Sequence, residues 1–571
     1  MEVDHSETVT GALRVHTRFA TVNKPTSKET MDLLNAQVTA TQTKELHPGW
    51  LRLFPENDFL SGVPRVSSAW KLAKAVADGG RLHRRPPCDT SLPQVCDFLN
   101  DPQREYCQMH LLDQNAATLA NSPPGVGKTV MISAAAIAAS SIFPGKLNII
   151  CGVTNASASE AVVKLAELET NNPVRFTRLI SEQNRQRQRD STHSDADYPE
   201  LWKRVLAIAL RRSDDAALNG CRYDVKIAQN AMFHLKKARA PVPPLKSKDL
   251  LNVVKQRIPN KDRMTREECF LKIHQTSVLV GTVFSVVDSF ANQWAPFANQ
   301  VATVQVDEAS QLPLFALIAL LATFPNAKFG LVGDHRQLPP FSDQEVYPLH
   351  HQIAIGNLLK EADRNHRFPA TFLNVVHRCP NLITHIISRM FYPEDLQSVR
   401  SPRERNQYAR ALGLPDRYPL HLIYTTGEET VSGTSAFSRS EAQAALQIAR
   451  DLRGTLGTTS IALLCYYRSQ AGLLSSLLDT DPFIATTIDG AQGQEFDVVI
   501  VLTTRTRSFR NSPFFEADHR LNVALSRTRH LCLLMVNRSA AWESRSWSNL
   551  MQRVDPAARH HQDEVLQRLG L

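Results

Sequence analysis

Long apolar runs, paired cysteines and low-complexity tracts are all missing from this 571-residue sequence. The longest apolar stretch, residues 131–143 (MISAAAIAASSIF), is rich in small residues and short of the ~20 that span a bilayer, so no membrane partner is expected. Nine cysteines are scattered without one Cys-x-x-Cys pair. That excludes a disulfide framework and a structural zinc module, and suits a reducing compartment. The opening MEVDHSETV is acidic and polar, unlike the basic and then apolar start of a secretory signal. The expectation is a cytoplasmic or nuclear protein that is not secreted. What is present is ordinary: 43% hydrophobic and 21% charged residues exclude a mostly disordered, collagen-like or coiled-coil chain. The length allows roughly three to four domains. The remaining clue is charge, 65 Lys+Arg against 56 Asp+Glu for a net +9, a modest surplus that suits a polyanionic partner.

Residues 1–95 are weakly patterned and read as a short N-terminal accessory or partly disordered region. The basic run Arg81–Arg85 within it is a nuclear signal, a nucleic-acid contact or, more often for such runs, a solvated loop. From about residue 99, short apolar runs recur at 116–120, 147–153, 301–306 and 328–332, separated by helical stretches such as 129–141 and 158–168. The texture returns at 421–424, 460–465, 484–487, 498–502 and 531–536. Buried strands alternating with helices point to α/β architecture with parallel sheets. Two such sheets are expected, in domains 96–345 and 346–571, joined across the Pro- and His-rich stretch 338–380. Residues 171–275 carry helical but no strand-like runs, for example 199–212 and 223–240, and read as a helical insertion in the first domain. That insertion holds 22 Lys+Arg against 12 Asp+Glu, so the surplus of the whole chain resides there.

Three strand ends in the first domain carry phosphate chemistry. Ser122-Pro123-Pro124-Gly125-Val126-Gly127-Lys128-Thr129 follows a strand and opens a helix, the context a P-loop requires. Pro124 to Val130 are thus expected to bind nucleotide: Gly127 lets the backbone approach, Lys128 holds the β- and γ-phosphates of ATP, and Thr129 binds Mg²⁺. Asp307-Glu308 ends a buried strand, which suits a metal ligand at Asp307 and a general base at Glu308. Gln337, in Gly333-Asp-His-Arg-Gln337, is a neutral side chain able to orient water or sense the γ-phosphate.

With these motifs the chain resembles superfamily 1 helicases, specifically the Upf-like (superfamily 1B) branch, from about Leu99 to Leu550. Gln103, in Leu99-Asn-Asp-Pro-Gln103, is similar to the family's adenine-reading glutamine. Gly152-Val-Thr-Asn155 and Gly281-Thr282 resemble motifs that contact nucleic acid through Asn155 and Thr282. His377-Arg378-Cys-Pro380, Tyr467-Arg-Ser-Gln470, Thr487 to Asp497, and Arg520 to Arg529 resemble the motifs of the second domain. The resemblance implies two tandem RecA-like P-loop domains with ATP between them. It makes arginine fingers of Arg378 and Arg527 and lines motif V with Gly493 and Glu495. Two positions depart from the pattern: Ser122 stands for a glycine, and His377 for a tyrosine that stacks on the base.

What this implies is an ATP-dependent helicase or translocase moving 5′→3′ on single-stranded RNA or DNA, monomeric, with ribonucleoprotein components as further partners. The rivals are a nucleic-acid-stimulated ATPase that remodels ribonucleoprotein without processive unwinding, and an ATPase-dead binding scaffold. The basic insertion sits where this branch carries its nucleic-acid-gripping subdomain, so Lys236, Lys237 and Arg239 are expected to track phosphates.

Overall fold

The computed structural model describes residues 67–77, 82, 84, 90–169, 174–180, 194–340, 358–365, 368–392, 395–457, 459–478, 481–507, 515 and 517–570. These fall into two compact units. The first takes the described residues up to Ala120, with Thr129–Val332 and Pro340–Thr371; the second takes Asn121–Lys128, Gly333–Pro339 and Phe372 onward. The last passage from the first unit to the second falls between Thr371 and Phe372, and the segment Asn121–Lys128 groups with the second unit.

The first unit is built on seven strands: β1 (Ala117–Asn121), β2 (Leu147–Gly152), β3 (Phe176–Leu179), β4 (Val278–Thr282), β5 (Val301–Asp307), β6 (Lys328–Gly333) and β7 (Ala370–Phe372). Their order across the sheet is β3-β4-β2-β5-β6-β1-β7, and β3, β4, β2, β5 and β6 run parallel. Because every residue of β2 is buried, it has the near-continuous apolar character of a strand covered on both faces. The helix Lys128–Ile142 (KTVMISAAAIAASSI) is apolar all round and largely buried, as such a helix must be.

Two expectations need correction here. Residues 171–275 do contain a strand, β3, paired with β4 from Phe176↔Val278 to Leu179↔Gly281. Its Arg178 breaks the apolar run, yet the side chain is buried, 3.5 Å from the fully buried Asp197. An ion pair in the core hides the strand from a hydrophobic pattern. Removing one partner leaves the other charge buried, so Arg178→Met is expected to destabilise the first unit by about 3 kcal/mol. Urea denaturation checks this, and a loss below about 1 kcal/mol would refute it. Secondly, part of 1–95 belongs to the first unit: in the helix Ser68–Ala77, Ala69, Leu72, Ala73 and Ala75 are buried in its core. Most of Arg81–Arg85 lies outside the described residues; Arg84 pairs with Glu105 at 2.9 Å, as a solvated basic loop would.

Among the described residues, the insertion between β3 and β4 holds the helices Tyr198–Leu218, Val225–Lys237, Lys248–Lys255 and Arg266–His274. Trp202, Leu206, Leu210, Ala231, Leu235 and Phe270 bury its inner faces in the same core as the sheet.

In the second unit, short β8 (Val375–Val376) and β9 (Gln397–Ser398) pair in parallel, and β11 (Thr430–Ser432) with β12 (Ser435–Phe437) forms a hairpin. Its main sheet comprises β10 (Leu420–Tyr424), β13 (Ile461–Cys465), β14 (Ile484–Thr487), β15 (Phe496–Leu502), β16 (Thr528–Val536) and β17 (Arg559–His561). The order is β14-β13-β15-β16-β10-β17, all parallel. Parallel sheets bind ligands outside the carboxyl ends of their strands; the motifs around Asn121, Gly152, Thr282, Asp307 and Gly333 lie at such ends in the first sheet, whereas Glu495 and Arg527 immediately precede β15 and β16.

Candidate active site

Gly125 and Gly127 both adopt φ of 76°, the left-handed region that glycine enters freely. A Cβ on Gly125 would lie 2.6 Å from Cβ of Arg378, so the position also requires glycine for space. The Gly125 carbonyl accepts from His377 N–H at 2.8 Å, and Ser122 N–H donates to the Gly333 carbonyl at 2.9 Å. Ser122 is buried and is not among the residues of positive φ. The serine that replaces the family's glycine therefore carries no backbone strain.

In the first unit, Thr129 Oγ1 donates to Asp307 Oδ2 at 3.1 Å, and Glu308 N–H donates to Asp307 Oδ1 at 2.8 Å. Asp307 and Glu308 are both buried. Glu308 takes φ 57°, ψ 36°, a left-handed conformation of the kind that clusters at working sites. A hydroxyl and a carboxylate meeting at the start of this helix suit Mg²⁺, which takes oxygen ligands from one or two carboxylates and completes its shell with phosphates and water. Among the described residues, no group of three His, Cys, Asp or Glu is placed to hold a metal ion.

In the second unit, Gln337 and the two arginines are brought together. Arg527 is buried and donates to Gln337 Oε1 (3.1 Å), the Gln494 carbonyl (3.2 Å) and the Val523 carbonyl (3.2 Å). Gln337 Nε2 donates to Asp334 Oδ2 at 2.9 Å. Tyr392 Oη also donates to that oxygen, and Asn522 Nδ2 donates to Tyr392 Oη at 2.9 Å. Arg378 Nε donates to Glu495 Oε2 at 2.6 Å, and its Nη1 to the Ser526 carbonyl at 3.1 Å. Arg529 Nε donates to the other carboxylate oxygen, Oε1, at 2.9 Å. Burial alone raises the Glu495 pKa, but Arg378 and Arg529 outweigh it and hold the carboxyl at about 2. Glu495 thus clamps two arginines. Asp334 and Asn522 lie within the motifs Gly333–Gln337 and Arg520–Arg529 quoted above but were given no role there, and Tyr392 was not singled out, since nothing in an isolated tyrosine signals such a role.

Gln103 is buried in a capping box with Asn100: its Oε1 accepts Asn100 N–H and its N–H donates to Asn100 Oδ1, both at 3.1 Å. The Asn-x-x-Gln spacing is itself a helix-start signature. Asn155 and Thr282 sit at the carboxyl ends of the adjacent strands β2 and β4, where Gly152 and Thr282 are register partners. Asn155 is exposed, and the Thr282 hydroxyl caps the following helix through Ser285 N–H at 3.1 Å. Lys236, Lys237 and Arg239 are exposed at the far end of the helix Val225–Lys237, where Arg239 takes φ 52°. They line no strand end.

Two family profiles, each described as an AAA domain, match residues 98–344 and 356–539. A Caenorhabditis elegans protein named as an uncharacterized ATP-dependent helicase is 27% identical over 80% of this chain and 30% of its own length. Helicase sen1 of Schizosaccharomyces pombe is 25% identical over 79% of this chain and 30% of its own. DNA-binding protein SMUBP-2 of Mesocricetus auratus is 25% identical over 77% and 43%. The chain therefore spans less than half the length of each of these relatives. Among the described residues, no helix is long and apolar enough to cross a membrane. On its matched regions and on the motifs they contain, the chain belongs to the Upf-like branch, superfamily 1B, of the superfamily 1 helicases.

Proposed function

We propose that this chain is an ATP-dependent helicase or translocase that hydrolyses ATP and moves 5′→3′ on single-stranded RNA or DNA. The observation that carries the reading is the arginine at the phosphate loop: Arg378 meets Gly125, while Glu495 and the Ser526 carbonyl hold its guanidinium. Phosphoryl transfer runs largely on positioning and charge neutralisation. In this reading the loop Pro124–Val130 takes the phosphates, with Gln103 on the adenine. Thr129 and Asp307 hold Mg²⁺, which would neutralise phosphate charge. Glu308 accepts the proton of the attacking water, Gln337 orients that water, and Arg527 and Arg378 stabilise the charge of the transition state. Asn155 and Thr282 contact the nucleic acid.

The test is ATP turnover with and without single-stranded RNA and DNA. We expect stimulation by at least one polymer. Lys128→Ala should lower the stimulated rate about 10²-fold, since it removes a positioned charge from the phosphates. Turnover indifferent to polymer would refute the helicase reading, and no turnover would leave a binding scaffold. A strand-displacement assay with 5′ and 3′ overhangs separates directional unwinding from remodelling.

A further inference from the structure

We propose that the first unit carries a second nucleic-acid surface, at the amino edge of its sheet, that holds phosphate backbone away from Asn155 and Thr282. Three open cavities, each including Arg263 in its lining, run across the insertion. One, of about 790 Å³, is lined by Trp202, Phe233, Lys237 and Arg266. The next, about 600 Å³, is lined by Lys236, Lys237, Lys255 and Arg257. The third, about 760 Å³, brings Lys261 and Lys272 together with Lys146, Leu147, Ser277 and Gln300. Leu147 is the first residue of β2, and Ser277 and Gln300 immediately precede β4 and β5. Asn155 and Thr282 belong to the opposite ends of β2 and β4. At about 3.3 Å per residue the two edges of β2 lie roughly 17 Å apart.

The charge along this band is uncompensated. Its carboxylates are already engaged: Asp262 with Lys226 at 2.7 Å, Glu267 with Arg266 at 2.7 Å, and Glu268 with Thr265 N–H at 2.7 Å. Lys236, Lys237, Lys255, Arg257 and Arg263 make no ion pair with any described carboxylate, nor do Lys146, Lys261 and Lys272. Burial holds the lining His234 imidazole below its ordinary pKa while its Nε2 meets the Met264 carbonyl, so it adds no charge at neutral pH. Arg263 lies 4.6 Å from the Phe233 ring centre and Arg266 lies 5.1 Å from that of Trp202, pairing cations with aromatic faces as single-strand surfaces do.

A row of hollows fits a polymer rather than one small anion. Among the described residues, no exposed large hydrophobic side chain lines these cavities, and a protein partner would need such anchors. The inference takes only its ligand class from the function proposed above.

The test uses the full chain with Lys255→Gln, Lys261→Gln and Lys272→Gln combined, and fluorescence anisotropy against salt for labelled strands of about 8 and about 40 nucleotides. Each lost phosphate contact removes about 0.7 from the salt slope of single-strand binding, so the long-strand slope should fall by about 2. The short-strand slope, and the ATP turnover that strand stimulates, should stay unchanged. An unchanged long-strand slope overturns the proposal. So does an equal fall for both lengths, which would put these lysines on the Asn155–Thr282 surface. Loss of polyglutamate binding alone also overturns it, in favour of an acidic polypeptide. Lys255→Gln by itself should shift the long-strand slope by about 0.7 and guards against misfolding of the triple variant. If turnover never responds to polymer, the function proposed above fails, while the two slopes still decide this surface.

Discussion

Arg527→Ala is expected to lower kcat for ATP about 10³-fold while changing KM much less, because arginine fingers supply that order of acceleration. The bonds made by Arg527 to Gln337, Gln494, Val523 and Ser526 all end on neutral oxygens. They orient the guanidinium. At Arg378 the Glu495 carboxylate sits 2.6 Å from Nε and must be given up before that arginine can neutralise phosphate. Arg378→Ala should therefore cost less than Arg527→Ala, and Glu495→Gln should loosen the clamp on Arg378. Arg527→Lys keeps the charge but loses the planar fork and should recover only part of the rate. Steady-state kinetics with a thermal melt of each variant checks the order. A folded Arg527→Ala enzyme within threefold of the parent rate would remove the finger assignment.

The geometry of the loop was legible in the sequence because such a motif tolerates few residue types at fixed spacing: Gly125 and Gly127 both take positive φ, and Thr129 meets Asp307 beside Glu308. The sheets were legible where strands are buried on both faces, as β2, β5 and β15 are. β3 was not, since Arg178 and Asp197 exchange the apolar pattern for a buried ion pair. The network around Asp334 was hidden for another reason: Tyr392 and Asn522 become specific only through contacts between segments far apart in sequence. Charge counting found the basic insertion and could not say which edge of the sheet it serves. A linear reading makes nucleic-acid contacts of both Lys236 and Asn155, and only the strand directions separate them.

Acidification to pH 5 is expected to destabilise the first unit before the second. Burial, with Lys328 adding to it, lowers the His110 pKa to about 3. Neither His110 ring nitrogen has a hydrogen-bond partner among the described residues. Burial, and then Arg175, lowers His274 to about 4 where it stacks on Phe270 at 5.0 Å. An unfolded chain protonates histidine near pH 6.5. Below that pH it binds protons the native unit refuses, so stability present above pH 6.5 is lost as pH falls toward 3 for His110 and 4 for His274. The loss is about 2 kcal/mol per histidine at pH 5, or about 4 kcal/mol for the pair. The second unit holds the buried His421, lowered to about 3 by burial and by His560, whose Nε2 lies 3.1 Å from His421 Nδ1. It also holds the buried Glu441, raised to about 7 by burial against the hydrogen bonds from Thr504. A raised carboxyl has the opposite sign: the native state takes up its proton first, and stability grows as pH falls from 7 toward 4.5. Between pH 7 and 5 that gain is about 2 kcal/mol and offsets His421. Burial-driven depressions at His519, His530 and His560 pull the second unit down, as that at His234 does the first. Hydrogen-exchange mass spectrometry in mild urea at pH 7 and pH 5, corrected for intrinsic rates, should show β2, β4 and β5 losing protection ahead of β13, β15 and β16. Earlier loss in the second unit would contradict the assignment, and Glu441→Gln should narrow the gap by abolishing the offset.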